Sequence, residues 1–171
     1  MWSDAWETED MVETDIKLTV GDLYDYNLRH SYTQISTLLA TAVGIAGVAV
    51  GIYWRQQYWI MMIVIGALLI LYMPITLLVK SSQTFALSPA IKKPVHYVLN
   101  DEGITVSQDG QSQTLPWSGV HKAVSTGRSI IIYTSKNSAS VFPKKQVGEA
   151  LPVLIQTISS NIDPKKNKIK Q

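Results

Sequence analysis

Two apolar runs occupy the middle of the chain, Ile35 to Trp54 and Tyr58 to Val79, separated only by Arg55, Gln56 and Gln57. Neither run contains Asp, Glu, Lys, Arg or His. Each reaches the roughly 20 residues that a helix rising about 1.5 Å per residue needs to cross a bilayer. From Ile60 to Leu71 apolar side chains point all round a helical wheel, so no polar face is left for a soluble core helix to turn to water. The pattern predicts a transmembrane helical hairpin over residues 35–79.

The flanks agree with that reading. Tyr53, Trp54, Tyr58 and Trp59 cluster at the tight turn, and Tyr32 and Tyr72 lie near the opposite boundary, where amphipathic rings sit at headgroup depth. Arg55 is the only basic residue of the turn, whereas Lys17 and Arg29 precede the first span and Lys80, Lys92 and Lys93 follow the second. The positive-inside rule then predicts that both termini are cytoplasmic. Within the spans, Ala40 with Gly44 and Gly47 with Gly51 are small-xxx-small pairs, able to pack on Gly66 and Ala67 of the partner helix or on a second copy of the chain. Pro74 is expected to bend the second span. With no ionisable group in either span, transport by the hairpin alone is not expected.

Outside the hairpin the periodicity changes. Residues 1–14 are acidic, with Trp2 and Trp6 among few apolar groups, and read as a disordered segment. Residues 15–34 read as a short strand from Asp15 to Thr19 and a membrane-proximal helix from Val20, with Thr19 and Asp22 at capping positions. Residues 80–93 read as a connector with a short strand near Thr84 to Leu87. From 94 to 163, apolar and polar residues alternate through Val95, Tyr97 and Leu99, then Ile104 and Val106, with turns at Asp101-Glu102-Gly103 and Asp109-Gly110. Ser129 to Ser135 and Ser138 to Phe142 form a further pair, so the expectation is an antiparallel meander with one buried face. Leu151, Leu154, Ile155, Ile158 and Ile162 then recur at helical spacing, predicting a closing helix that turns Leu154, Ile155 and Ile158 to the sheet. Trp117 is expected in the core. Residues 164–171 form a solvated basic tail.

Composition narrows the chemistry. The net charge of +2 over 171 residues hides a strong polarity: acids dominate before the first span, and Lys and Arg outnumber acids after the second. There is no cysteine, which removes disulfides, thiolate metal sites and a cysteine nucleophile. His30, His96 and His121 are not placed with acids at metal-ligand spacing, so neither a metal nor a cofactor is expected. No Gly-x-Ser-x-Gly elbow or Ser-x-x-Lys arrangement is present, and Gly127 with Arg128 does not make a phosphate loop. The chain reads as a non-enzyme, with no evident small-molecule substrate and no nucleic-acid partner.

Three motifs carry a resemblance: Ile16-Lys17-Leu18-Thr19 followed by Asp22, the run Tyr97 to Val106 continued by Leu115-Pro116-Trp117-Ser118-Gly119-Val120, and Val141-Phe142-Pro143-Lys144-Lys145. Through them the chain resembles the YcxB-like family of bacterial membrane proteins from about Asp15 to Ile162. The resemblance implies an α+β membrane protein: a two-helix transmembrane hairpin carrying a small antiparallel pleckstrin-homology-like (PH-like) β-domain closed by a C-terminal helix. It implies residence in the bacterial inner membrane and no activity assignable to any residue.

The expected function is presentation of that cytoplasmic domain to a protein partner or a membrane surface, with the lipid bilayer as constant partner and a homo-oligomer as an option. Candidate binding residues are Lys144, Lys145, Lys165 and Lys166, together with Trp2 and Trp6; candidate helix-packing residues are Gly44, Gly47, Gly51 and Gly66. Each juxtamembrane basic residue gains roughly 1 kcal/mol near an anionic leaflet. The alternative is a membrane immunity or regulatory protein that neutralises a toxin or partner enzyme through its acidic N-terminal segment.

Overall fold

A computed structural model describes residues 11–54, 57–136 and 138–169 of the chain. It divides into two compact units, a helical one over Leu23–Leu87 and an α+β one made of the described residues up to Asp22 and from Ser88 onward. Expectations resting on residues 1–10, including those for Trp2 and Trp6, and on Arg55, Gln56, Asn137 and Lys170 lie outside the described residues.

Helix α1 spans Val20–Ser31, α2 Ile35–Tyr53 and α3 Trp59–Leu87. The helices α2 and α3 are long and apolar enough to cross a membrane. Their glycines explain how they meet. A Cβ added at Gly66 would stand 2.6 Å from the Gly44 carbonyl oxygen, and one at Gly44 would stand 2.9 Å from that of Gly66, so the backbones touch where both side chains are absent. Gly51 is equally tight, with its Cβ position 2.9 Å from the Trp59 carbonyl oxygen, while at Gly47 the nearest atoms are 3.7 Å away.

The expected strand near Thr84 does not form, and α3 runs unbroken through Pro74 to Leu87 over 29 residues. From Lys80 to Leu87 the chain contains no glycine or proline to stop it. Ser81 donates to the Leu77 carbonyl at 2.8 Å and accepts from Asn27 Nδ2 of α1 at 2.9 Å, which satisfies its buried hydroxyl within the helix. The helix stops only at Ser88, extended before Pro89 as residues preceding proline tend to be, and a short helix α4 follows over Pro89–Lys92.

The α+β unit contains two four-stranded sheets. The first has the order β1(Val12–Ile16), β2(Val95–Leu99), β3(Gly103–Gln108), β4(Gln111–Pro116), antiparallel throughout. Strand β1 starts at Val12, inside the stretch expected to be disordered, because Val12 and Ile16 are buried and pair with Leu99 and Val95. Two turns follow the sequence signals. Asp109 and Gly110 both have positive φ (51° and 79°), the two-residue hairpin that Asp-Gly favours. Gly103, at φ 157°, lies so close to β4 that a Cβ would come within 2.2 Å of the Leu115 carbonyl oxygen. Asn100 Oδ1 accepts the amides of Glu102 and Gly103, and the Asn100 carbonyl accepts Trp117 Nε1–H at 2.8 Å, so the buried tryptophan is also the lock on this turn.

The second sheet has the order β7(Ala139–Pro143), β6(Ser129–Tyr133), β5(Lys122–Ser125), β8(Asn167–Lys168). It departs from expectation in two ways. All five residues of β6 are buried, so this strand is covered on both faces; only Ile130 and Ile132 belong to the main core, and Lys122 Nζ lies 4.6 Å from the Tyr133 ring. The basic tail is not wholly solvated: β8 pairs parallel to β5, and the Ala123 amide donates to the Lys166 carbonyl at 3.0 Å.

After β7 come a short helix α5 over Lys144–Val147, a 3-10 turn and the closing helix α6 over Leu151–Asn161. Helix α6 starts at Leu151, because Gly148 takes φ 58° and Pro152 fits only the first turn. It buries Leu154, Thr157 and Ile158, leaves Ile155 half-buried, and exposes Gln156. The core holds Val12, Leu99, Ile104, Ile130, Phe142 and Leu154, with Tyr97 edge-on to Phe142 at 4.7 Å.

Two outcomes follow from this packing. Gly66→Ala is expected to lower the thermal midpoint of the detergent-solubilised chain by the equivalent of about 1–3 kcal/mol, while Gly47→Ala, with room for its methyl, leaves it unchanged or raised; circular dichroism melts compare them. Burial raises the Tyr97 phenol above its ordinary 10.0, against the opposing hydrogen bond to Ser140. A raised folded pKa means stability that is full below pH 10.0 and lost as pH climbs towards the folded value. Tyr97→Phe is therefore expected to flatten the alkaline decline of chemical-denaturation midpoints.

Candidate functional site

Three connections of the α+β unit converge on one cleft of about 450 Å³. Its walls are Thr19 and Asp22 from the β1–α1 link, Gly127 and Arg128 from the β5–β6 turn, and Pro143 to Gln146 from the β7–α5 link. Each wall is set by local hydrogen bonding. At the first, Asp22 Oδ2 accepts from the Thr19 amide at 3.0 Å and from Thr19 Oγ1 at 2.6 Å, and the Asp22 amide donates back to Thr19 Oγ1 at 3.3 Å. This reciprocal cap stops α1 from fraying at its amino end.

At the second wall, Thr126 organises the turn. Its hydroxyl accepts the amides of Arg128 and Ser129 at 3.2 and 2.9 Å, and its own amide donates to the Ser129 carbonyl. At the third, the Lys144 amide donates to the Arg128 carbonyl at 2.8 Å, and Lys144 Nζ donates to the Thr126 carbonyl at 2.6 Å. The first and third walls are joined by Gln146, whose Oε1 accepts the Lys17 amide at 2.9 Å and whose Nε2 donates to the Lys17 carbonyl at 2.8 Å. That side chain extends β1 by one strand-like pair.

Charge in the cleft is unequal: among the described residues, Arg128, Lys144 and Lys145 line it with the single carboxylate of Asp22. Asp22 is buried, and its Oδ1 lies 3.8 Å from Arg128 Nη2, too long for a hydrogen bond. The guanidinium lies over Gly21, where a Cβ would stand 2.9 Å from Nη2, and remains 63% exposed. An ion pair with one partner so exposed contributes little.

The expected binding residues separate into two groups. Lys144 and Lys145 line the cleft, whereas Lys165 and Lys166 lie on the turn between α6 and β8. There the Lys165 amide donates to Asp163 Oδ1, and Lys166 Nζ donates to the Val120 carbonyl at 3.1 Å. The glycines Gly44, Gly47, Gly51 and Gly66 belong to the helical unit and pack α2 on α3. Sequence reasoning weighed Arg128 only with Gly127, as a phosphate loop that it does not make, and passed over Thr126 and Gln146. The β6–β7 register pairs Ser129 with Pro143, which sets Arg128 beside Lys144 one step beyond the ladder, and no local sequence pattern contains it.

Other features offer less. A depression of about 550 Å³ on α6, lined by Leu151, Pro152, Ile155, Gln156, Ser159 and Ser160, contains no charged group. His96 stands on the β1–β2 ladder between Asp15 (Nδ1 to Oδ1, 2.9 Å) and Glu13 (Nε2 to Oε1, 3.4 Å), all substantially exposed. Among the described residues no group of three or more His, Asp or Glu side chains could hold a metal ion.

Residues 99–158, from the end of β2 into α6, match the model of the YcxB-like protein family. This stretch is similar to that family. It contains the Trp117 lock, the β5–β6 turn with Arg128, and the Lys144-Lys145 pair; Thr19 and Asp22 lie outside it, as do β1 and the helical unit. No curated protein and no solved structure matches the chain.

If Gln146 clamps β1 to α5, Gln146→Ala removes two hydrogen bonds and is expected to cost about 1–2 kcal/mol. Hydrogen exchange checks it directly: the Lys17 amide should exchange faster, while the Val12 and Leu99 amides in the ladder keep their protection.

Proposed function

We propose that this YcxB-like protein is a non-enzymatic membrane protein, anchored by the α2–α3 hairpin and presenting its α+β unit to a protein partner or a membrane surface. The observation that carries the anchoring is the outer surface of the two helices. Leu39, Val43, Ile60, Leu68 and Ile75 are each more than half exposed, and no charge lies within either apolar run. In water every such Leu or Ile would forgo about 1 kcal/mol or more of burial, half the usual value for complete transfer. Lipid removes that cost, and helices satisfy their backbone polar groups internally, which hydrocarbon demands.

At about 1.5 Å per residue α3 is longer than the roughly 30 Å apolar core, so the end that carries Lys80 and Ser81 extends past it. Lys80, Lys92 and Lys93 on that side support a cytoplasmic α+β unit in a bacterial inner membrane. Two sheets closed by an amphipathic α6 support a PH-like arrangement. The non-enzymatic reading rests on the missing nucleophile–base and metal-ligand patterns of the sequence.

Membrane fractionation tests the anchor. The chain is expected to stay in the pellet through high salt and alkaline carbonate and to be released by detergent. Recovery in the supernatant without detergent would overturn the reading.

A further inference from the structure

The cleft bounded by Thr19, Asp22, Arg128 and Lys144 contains more positive charge than the described residues answer. Its single carboxylate is already occupied, since Asp22 Oδ2 takes both capping bonds from Thr19 and Oδ1 reaches Arg128 only at 3.8 Å. Arg128 is nevertheless held in place: its amide donates to Thr126 Oγ1, its carbonyl accepts the Lys144 amide, and its guanidinium lies on Gly21. Lys144 Nζ is fixed on the Thr126 carbonyl with donors to spare, and Lys145 stands exposed beside it. Gly127 contributes no side chain, and a Cβ there would meet nothing within 4 Å, so the space in front of Arg128 is open.

A planar guanidinium sharing one cleft with two lysines is matched to a tetrahedral oxyanion, which accepts the fork of arginine in pairs and the lysines as point charges. Apart from Pro143 and Gly127, every lining residue carries a polar or charged group. The volume of about 450 Å³ exceeds that of a lone phosphate and leaves room for an ester substituent. The arrangement differs from a phosphate loop, because its donors are side chains from two separate connections rather than consecutive backbone amides.

We infer that this cleft is a phosphate-binding site, which takes a phosphate mono- or diester through Arg128, Lys144 and Lys145. The inference rests on the reading that the α+β unit is the binding part of the protein and names the chemical class it binds. The same chemistry is offered by the headgroup of an anionic phospholipid and by a soluble phosphate ester.

The test uses the full chain in neutral detergent, titrated calorimetrically with inorganic phosphate and, separately, with mixed micelles of phosphatidylglycerol or phosphatidylcholine. Saturable binding is expected with phosphate, with phosphatidylglycerol, or with both, and weaker or none with phosphatidylcholine. Binding to phosphatidylglycerol alone assigns the lipid source, and binding to inorganic phosphate assigns a site open to soluble esters. Arg128→Gln should weaken the affinity about tenfold and Lys145→Gln by a smaller factor, while Lys165→Gln, outside the cleft, leaves it unchanged. Circular dichroism checks that Arg128→Gln is folded; if it is not, Lys145→Gln decides. No saturable binding in either arm overturns the site, and so does an equal response of the Lys145 and Lys165 variants. Such a failure leaves carbonate-resistant membrane association intact, which separates it from failure of the anchoring.

Discussion

Pairing of Val12–Ile16 with Val95–Leu99 closes a loop of chain that holds both long apolar helices. A flexible loop of that length, from Lys17 to Pro94, would cost about 4 kcal/mol to close. Burial of Val12 and Ile16 returns roughly 3–6 kcal/mol, before any ladder hydrogen bond is counted. The actual cost is lower, because α2 and α3 form an antiparallel pair whose glycine contacts already bring the chain back on itself.

The cleft is a consequence of the same closure. Strand β1 carries Lys17 to the side chain of Gln146, and the two hydrogen bonds there fix the direction in which the chain leaves towards Thr19 and Asp22. Without β1, the YcxB-like stretch would still supply Arg128, Lys144 and Lys145, but the wall opposite them would be absent. Residues far apart in sequence thus form one surface, and the contribution from before the helices is backbone position and a carboxylate rather than further positive charge.

How much of this was legible in the sequence depended on how local the signal was. The apolar runs as two long helices, the Asp-Gly and Asp101-Glu102-Gly103 turns, and the alternation around Tyr97 and Leu99 are set by neighbours within a few residues, and these read correctly. The extension of α3 to Leu87 was missed because Ser81, Ser82 and Thr84 look like a connector; the partner that makes Ser81 acceptable in a helix is Asn27, on another element. Ile130, Ile131 and Ile132 in succession mark a strand covered on both faces, yet a continuous apolar run does not say what covers it. Strand β8 was illegible for the opposite reason, since Asn167 and Lys168 carry no strand signal and pair only because β5 presents a free edge. Arg128 needed the β6–β7 register, which no local pattern contains.

At Asp22 two interactions compete for one carboxylate, and their geometry decides between them. The cap uses a 2.6 Å and a 3.0 Å hydrogen bond in a buried position, an arrangement worth about 1 kcal/mol or more to the helix. The contact with Arg128 is 3.8 Å long and reaches into solvent, where ion pairs contribute between nothing and about 1 kcal/mol. Asp22 is thus a helix cap first and a counter-ion second. Arg128 is positioned chiefly by its own backbone bonds to Thr126 and Lys144 and by Gly21 beneath it, so its guanidinium remains presented to the cleft without depending on the carboxylate beside it.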